Sequence, residues 1–261
     1  MKLQPISADS SLFGLQGRVA LVTGAAGGLG AAICRVLATQ GASVIVSDRD
    51  SHACQQLADE LPDACALPCD LADTKGIGVH AARALAWRGR VDTLVCNAGL
   101  QGPAGPLAQI GEADWQLVMD VNLRAAVELT RHLLPPMAEQ GGGCVVLMSS
   151  IAGLRGNKSI GLYGLSKAAL AQLARNLAVE WGPRGIRVNA VSPGLIRTPL
   201  STALMADAAF MQHRLAATPL RRVGEPEEVA AVVAMLASAA GGFISGHNLV
   251  VDGGTTISDG N

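Results

Sequence analysis

Seven short β-branched runs punctuate the chain, and most are apolar throughout rather than alternating with polar residues. They lie at 18–23 (RVALVT), 43–47 (SVIVS), 64–68 (ACALP), 92–97 (DTLVCN), 144–149 (CVVLMS), 186–191 (IRVNAV) and 247–251 (HNLVV). A strand without a polar side has to be covered on both faces. Longer Ala/Leu-rich segments near 28–40, 51–60, 73–88, 113–139, 161–181 and 226–239 carry helical spacing and separate the runs. Strand, helix, strand order calls for parallel strands joined by crossover helices. The expected fold is therefore α/β, a doubly wound, mainly parallel seven-stranded sheet with helices on both faces. The run Gly224-Glu225-Pro226-Glu227-Glu228 agrees, placing Pro in a first helical turn with acids beside the positive helix end.

The 261 residues suit a single domain spanning 1–261, and 49% hydrophobic residues give it material for a large core. A net charge of -1 without a Lys/Arg block argues against nucleic acid and acidic membranes as partners. The six cysteines are dispersed and the five histidines share no ligand spacing, so no metal site or disulfide framework is expected. They read as core thiols of a reducing, cytoplasmic protein. Residues 1–13 lack an apolar signal core and read as a short N-terminal arm. Val229 to Gly246 carries no charge, but its Gly241-Gly242 break leaves too few helical residues to span a bilayer. With only 16% charged residues, apolar surface has to be hidden somewhere, and a homo-oligomer interface is one place for it.

The first run leads straight into Thr23-Gly24-Ala25-Ala26-Gly27-Gly28-Leu29-Gly30 and then a helix. Glycines let the backbone turn tightly and approach a pyrophosphate, which the amides of the helix N-terminus then face. Gly24, Gly28, Leu29 and Gly30 are the candidate contacts; the chain has no lysine-bearing triphosphate loop. Eighteen residues past Gly30, Asp48 ends the second run, where a carboxylate accepts from both ribose hydroxyls and repels a 2′-phosphate. That favours NAD over NADP. Asp48 could instead cap the following helix, a task Asp50 or Ser51 could perform equally well, and the neighbouring Arg49 could receive a 2′-phosphate.

Thr23-Gly24 with Gly28 and Gly30, Asn97-Ala98-Gly99, Ser150, Tyr163-x-x-x-Lys167 and Pro193-Gly194 follow one another at the ends of successive strands. In this order the chain resembles the short-chain dehydrogenases/reductases over nearly its whole length. The resemblance implies one Rossmann-like domain and hydride transfer to or from a nicotinamide. It further implies that Asp70 and Leu71 bound the adenine, that Asn97, Ala98, Gly99, Pro193 and Gly194 line the cofactor, and that Ile196 and Thr198 meet the carboxamide. Asn122 matches the asparagine that orders a water beside the lysine, although a buried asparagine can also be a satisfied structural amide. Ser150 rather than the adjacent Ser149 is selected by family spacing alone. A homotetramer built through 113–139, 161–181 and the C-terminal segment is implied as well.

The chemistry also follows from the residues. Tyr163, the single tyrosine, and Lys167 are four apart in a helical pattern and share one face. A phenol of pKa about 10 is a poor base near neutrality, and an adjacent ammonium stabilises the phenolate. Such i,i+4 pairs also occur without function, and the order of motifs decides for catalysis. Ser150, at a strand exit, can hydrogen-bond the substrate oxygen while Lys167 binds the nicotinamide ribose.

Residues 194–223 have no place in the sheet and read as a substrate-binding lid. Only seven aromatic residues occur, which does not suggest a stacking platform for flat rings. Arg155, Asn157 and Lys158 lie between Ser150 and Tyr163, and the lid carries Arg197, His213, Arg214, Arg221 and Arg222. Arg155, Asn157, Lys158 and His213 are the substrate candidates. As a group these residues suggest NAD-dependent oxidation of a secondary alcohol on a hydroxylated, carbohydrate-like substrate, such as a sugar acid or sulfo-sugar held by cations. An NADPH-dependent ketoacyl or small-ketone reductase is the alternative, and a non-catalytic cofactor-sensing protein a third reading.

Overall fold

In the computed structural model, which describes residues 12–258, the strands are β1 (Val19–Thr23), β2 (Ser43–Ser47), β3 (Ala64–Ala66), β4 (Thr93–Cys96), β5 (Gly143–Met148), β6 (Ile186–Pro193) and β7 (Asn248–Val251). All pair in parallel in the order β3-β2-β1-β4-β5-β6-β7. Successive residues of β1 face opposite sides, Ala20 and Val22 one way and Val19 and Leu21 the other, and both sides are buried. One core packs under α1 (Gly28–Thr39), α2 (Ser51–Glu60) and α9 (Pro226–Ala237). The other packs under α3 (Ile77–Arg88), α5 (Ala125–Glu139) and α6 (Gly161–Trp181). The double cover is what strands without a polar face require.

The order of strands reverses between β1 and β4, so the loops at their carboxyl ends diverge and open a crevice. The expected helix over 113–139 is three pieces: α4 (Glu112–Met119), a π turn at Asp120–Arg124, and α5. Ala125 N–H reaches back five residues to Asp120 O there, the wider turn that often marks a functional site in a helix. The segment 194–223 folds into α7 (Thr202–Ala206) and α8 (Ala208–Ala216), anchored where Ile196 bridges Gly224. Glu225 precedes Pro226 at the start of α9, and the Glu228 carboxylate accepts from its backbone N–H at 2.8 Å. Apart from Leu12 and Phe13, the expected arm at 1–13 lies outside the described residues. No helix among the described residues is long and apolar enough to cross a membrane.

All six cysteines are free thiols. Burial pushes Cys34 and Cys96 up to about 12 and Cys54 and Cys65 up to about 11, so none is a ready nucleophile. Among the described residues no group of three or more His, Cys, Asp or Glu is placed to hold a metal ion.

His80 on α3 is 4% exposed, with Nε2 at 3.1 Å from Ser47 Oγ and Nδ1 without a partner. Burial lowers its pKa from 6.5 to about 4, with Arg83 adding to the shift. An unfolded chain would protonate this imidazole first, so the folded state loses stability as pH falls from 6.5 towards 4. The loss is bounded at roughly 3 kcal/mol. Urea unfolding of wild type and His80→Gln between those pH values should show a shallower pH slope in the variant; equal slopes would assign the acid sensitivity elsewhere.

Candidate active site

The glycine turn closes the carboxyl end of β1. Gly24 and Gly28 have φ of +61° and +51°, conformations that side chains resist. A methyl group on Gly24 would lie 2.7 Å from Ala98 Cα, and one on Gly30 would collide with the Gly24 carbonyl oxygen. The turn is held from the next strand. Asn97 Nδ2 donates to Thr23 O at 3.1 Å and to Gly24 O at 2.9 Å, while Thr23 Oγ1 accepts from Asn97 N at 3.1 Å. Asn97 thus fastens β4 to the turn as well as facing the crevice, a structural task that its motif does not announce.

A cavity of about 680 Å³ runs from this turn to α6. Its walls include every expected cofactor contact: Gly24, Gly28, Leu29, Gly30, Asp48, Asp70, Leu71, Asn97, Ala98, Gly99, Tyr163, Lys167, Pro193, Gly194, Ile196 and Thr198. Asp48 accepts from Ala26 N–H and Asp50 N–H, both at 3.3 Å, weak bonds that leave lone pairs facing the cavity. It does not cap α2. Asp50 does so, accepting from Ala53 N–H at 3.0 Å. Arg49 lines the same end of the cavity. The side-chain-free cradle, the N-terminus of α1 and an acid at the end of β2 together fit a dinucleotide.

At the other end Ser150, Tyr163 and Lys167 come together. Ser149 Oγ donates to Lys167 O at 2.7 Å, whereas Ser150 Oγ accepts from Ala152 N–H at 3.1 Å and keeps its proton to donate beside Tyr163, so geometry separates two serines that composition could not. Lys167, 3% exposed, donates from Nζ to Met148 O at 2.7 Å and lies 5.5 Å from the centroid of the Tyr163 ring. Burial pushes this ammonium down to about 8. Burial also raises the Tyr163 phenol, and the Ser150 hydrogen bond pulls against it. Sequence spacing expects the lysine to make the phenol more acidic; the sequence cannot show that both groups are buried, and in the protein alone desolvation is the larger effect.

Gly99 explains how the lysine fits. A Cβ there would sit 3.1 Å from Lys167 Nζ and 3.4 Å from Asn122 Oδ1. Asn122, buried on the π turn, donates from Nδ2 to Leu100 O at 2.8 Å and Ser166 Oγ at 2.9 Å, and accepts from Leu100 N–H at 2.7 Å. Both its amide protons are engaged, so its side chain braces the π turn against Leu100 and α6.

The loop cations divide sharply. Arg197 pairs with Glu225 and Arg222 with Glu228, while Arg221 donates to backbone carbonyls of α8. Two expected substrate residues need correction: Lys158 and His213 are exposed and do not line the cavity. On α8 the inward face is set by Phe210 and Arg214, four apart, and His213 is turned about 100° away from Arg214. Arg155 does line the cavity. Asn157 lines it too, but its Nδ2 donates to Ala152 O and Arg155 O, both at 2.9 Å, which pins the loop. Phe210, Leu200 and Leu204 complete the mouth; they went unnoticed because single apolar residues on short lid helices carry no periodic signal.

A doubly wound parallel sheet with a dinucleotide cradle at its switch point and a serine, tyrosine and lysine in the same crevice defines a nicotinamide-dependent oxidoreductase. A family model described as enoyl-(acyl carrier protein) reductase matches residues 24–256. The chain belongs to the short-chain dehydrogenase/reductase family. It is 41% identical over 243 residues to cis-4-hydroxycyclohexanecarboxylate dehydrogenase of Sinomonas cyclohexanicum, covering 92% of this chain and 96% of that one. Among solved structures it is similar to a 7α-hydroxysteroid dehydrogenase complexed with NADH and 7-oxo-glycochenodeoxycholic acid, at TM-score 0.89 and 35% identity, over 93% of this chain and 96% of that one. It is also similar to a gluconate 5-dehydrogenase of Burkholderia cenocepacia J2315 in complex with NADP and tartrate, at TM-score 0.90 and 31% identity, covering 95% and 98%. The chain is accordingly an alcohol dehydrogenase/reductase that uses a nicotinamide cofactor.

Proposed function

We propose that the protein is an NAD-preferring dehydrogenase that oxidises a secondary alcohol of a hydroxylated, carbohydrate-like molecule. The observation that carries this reading is the convergence of Ser150, Tyr163 and Lys167 on one cavity with the glycine turn and Asp48. Tyr163 takes the hydroxyl proton, Ser150 holds the substrate oxygen, and Lys167 stabilises the phenolate and holds the nicotinamide ribose. Bound oxidised nicotinamide would accept the hydride and add positive charge near the phenol. The cavity residues from Gly24 to Thr198 would hold the dinucleotide. All three relatives named above carry an acid in their names or bound ligands, which supports extending the substrate class to hydroxy acids.

Arg49 favours a second reading, an NADPH-dependent reductase, because no acid among the described residues pairs with it in the cavity. Initial rates with NAD and NADP across paired sugars, sugar acids and cyclic alcohols decide between them. A strong NADP preference overturns the first reading, and tight NAD binding without turnover across the panel would point to a cofactor sensor. The homotetramer of 26.6 kDa chains is supported by exposed Trp115, Val127, Leu165 and Val179 on α4 to α6, and light scattering measures it directly. Unpaired thiols support a cytoplasmic, reducing location, which fractionation of the source cells would check.

A further inference from the structure

We infer that Arg155 and Arg214 form a two-armed anion clamp that selects hydroxy acids, gripping a carboxylate or sulfonate of the substrate between the floor of the cavity and its lid. The inference rests on the dehydrogenase reading and deepens it. The two arginines line the cavity from different elements, Arg155 on the loop after β5 and Arg214 on α8. Neither makes an ion pair or a side-chain hydrogen bond among the described residues, whereas Arg197 and Arg222 on the same lid both have glutamate partners. The acids lining the cavity are Asp48 and Asp70, beside the glycine turn, so the charged side chains at the lid end are all cations.

Both arms are held in place without being neutralised. Asn157 donates to the carbonyls of Ala152 and Arg155 at 2.9 Å and fixes the loop beneath the first. The second lies 5.4 Å from the centroid of the Phe210 ring, a cation-π contact that keeps its charge. The groups also feel each other, since half-burial and the charge of Arg155 both lower the pKa of Arg214. Two unpaired cations lining one mouth are relieved by an anion between them, and a carboxylate matches the planar fork of each guanidinium. An anion held there ties lid to floor. A neutral polyol of the same length cannot.

The test is isothermal calorimetry of the NADH complex with gluconate against glucitol, and with 4-hydroxycyclohexanecarboxylate against its carboxamide, followed by rates with NAD on the same four compounds. The expected result is at least one acid bound about tenfold or more tightly than its neutral partner. Arg155→Gln and Arg214→Gln should each reduce that ratio, the double variant should bring it close to one, and Arg214→Lys should keep part of it. Raising salt should weaken binding of the acid and spare the neutral partner, a readout on unaltered protein that does not depend on the variants folding. No acid bound better than its partner, or a ratio untouched in the double variant, overturns the clamp. Arginine-dependent acid binding with no NADH formed from any compound would leave the clamp standing and remove the dehydrogenase reading.

Discussion

Replacing Tyr163 by Phe should lower kcat by about 10²- to 10⁴-fold, the usual contribution of a positioned acid or base, while leaving the affinity for NADH within about twofold. The ring that packs beside Lys167 is retained, and only the hydroxyl is lost. Tyr163 is the single tyrosine, so no other phenol could take over. The loss should appear in kcat and kcat/KM alike, because the missing group acts in the transition state more than in the ground state. Dinucleotide affinity, read from NADH fluorescence, separates this outcome from a collapsed site. Unchanged turnover would remove Tyr163 from the mechanism. Since burial holds the phenol above its ordinary value, wild-type activity in the oxidative direction should rise with pH, and the variant should lack that rise.

Asp48→Asn should move the ratio of kcat/KM for NAD over NADP by about 10²-fold or more towards NADP. A full charge about 4 Å from a 2′-phosphate is worth about 4 kcal/mol per unit phosphate charge at a partly exposed site, and each 1.4 kcal/mol is about tenfold. Asparagine preserves the shape and the acceptor for Ala26 N–H while removing the repulsion, and it leaves Arg49 free to meet the phosphate. Because Asp50 caps α2, the variant should melt within about a degree or two of wild type. Initial rates over a range of both cofactors measure the ratio. A ratio that stays within about twofold would mean that Asp48 does not face the ribose and that cofactor choice lies elsewhere.

Strands were the most legible part of the sequence, because a run such as Leu21, Val22 and its neighbours has no polar side to point at water, and only a two-sided cover satisfies it. The cofactor cradle was legible for a similar reason, since glycine is one of few residues able to adopt the turn at Gly24 and the contact at Gly30. What the sequence concealed depends on rotation and on partners. His213 and Arg214 are neighbours in a list but about 100° apart on α8, and the pattern of a nine-residue helix is too short to fix its phase. The structural task of Asn122 was hidden because its partners, Leu100 and Ser166, lie 22 and 44 residues away. The π turn that carries it leaves no compositional trace, since 113–139 reads as one amphipathic helix. The direction of the Tyr163 shift was hidden too, because desolvation depends on everything that packs around a group and spacing reports one neighbour.

One carboxamide reinforces the middle seam of the sheet at its carboxyl end, beyond the last rung of the β1–β4 ladder. Asn97 reaches from the exit of the fourth strand to the first, across 74 residues of chain, and grips the carbonyls of Thr23 and Gly24. The two wings of the sheet, β1 to β3 and β4 to β7, are thereby riveted where the crevice opens at their carboxyl ends. Loosening that rivet would free the glycine turn while the ladder still joins the wings, so grip on the dinucleotide should fail well before the sheet does.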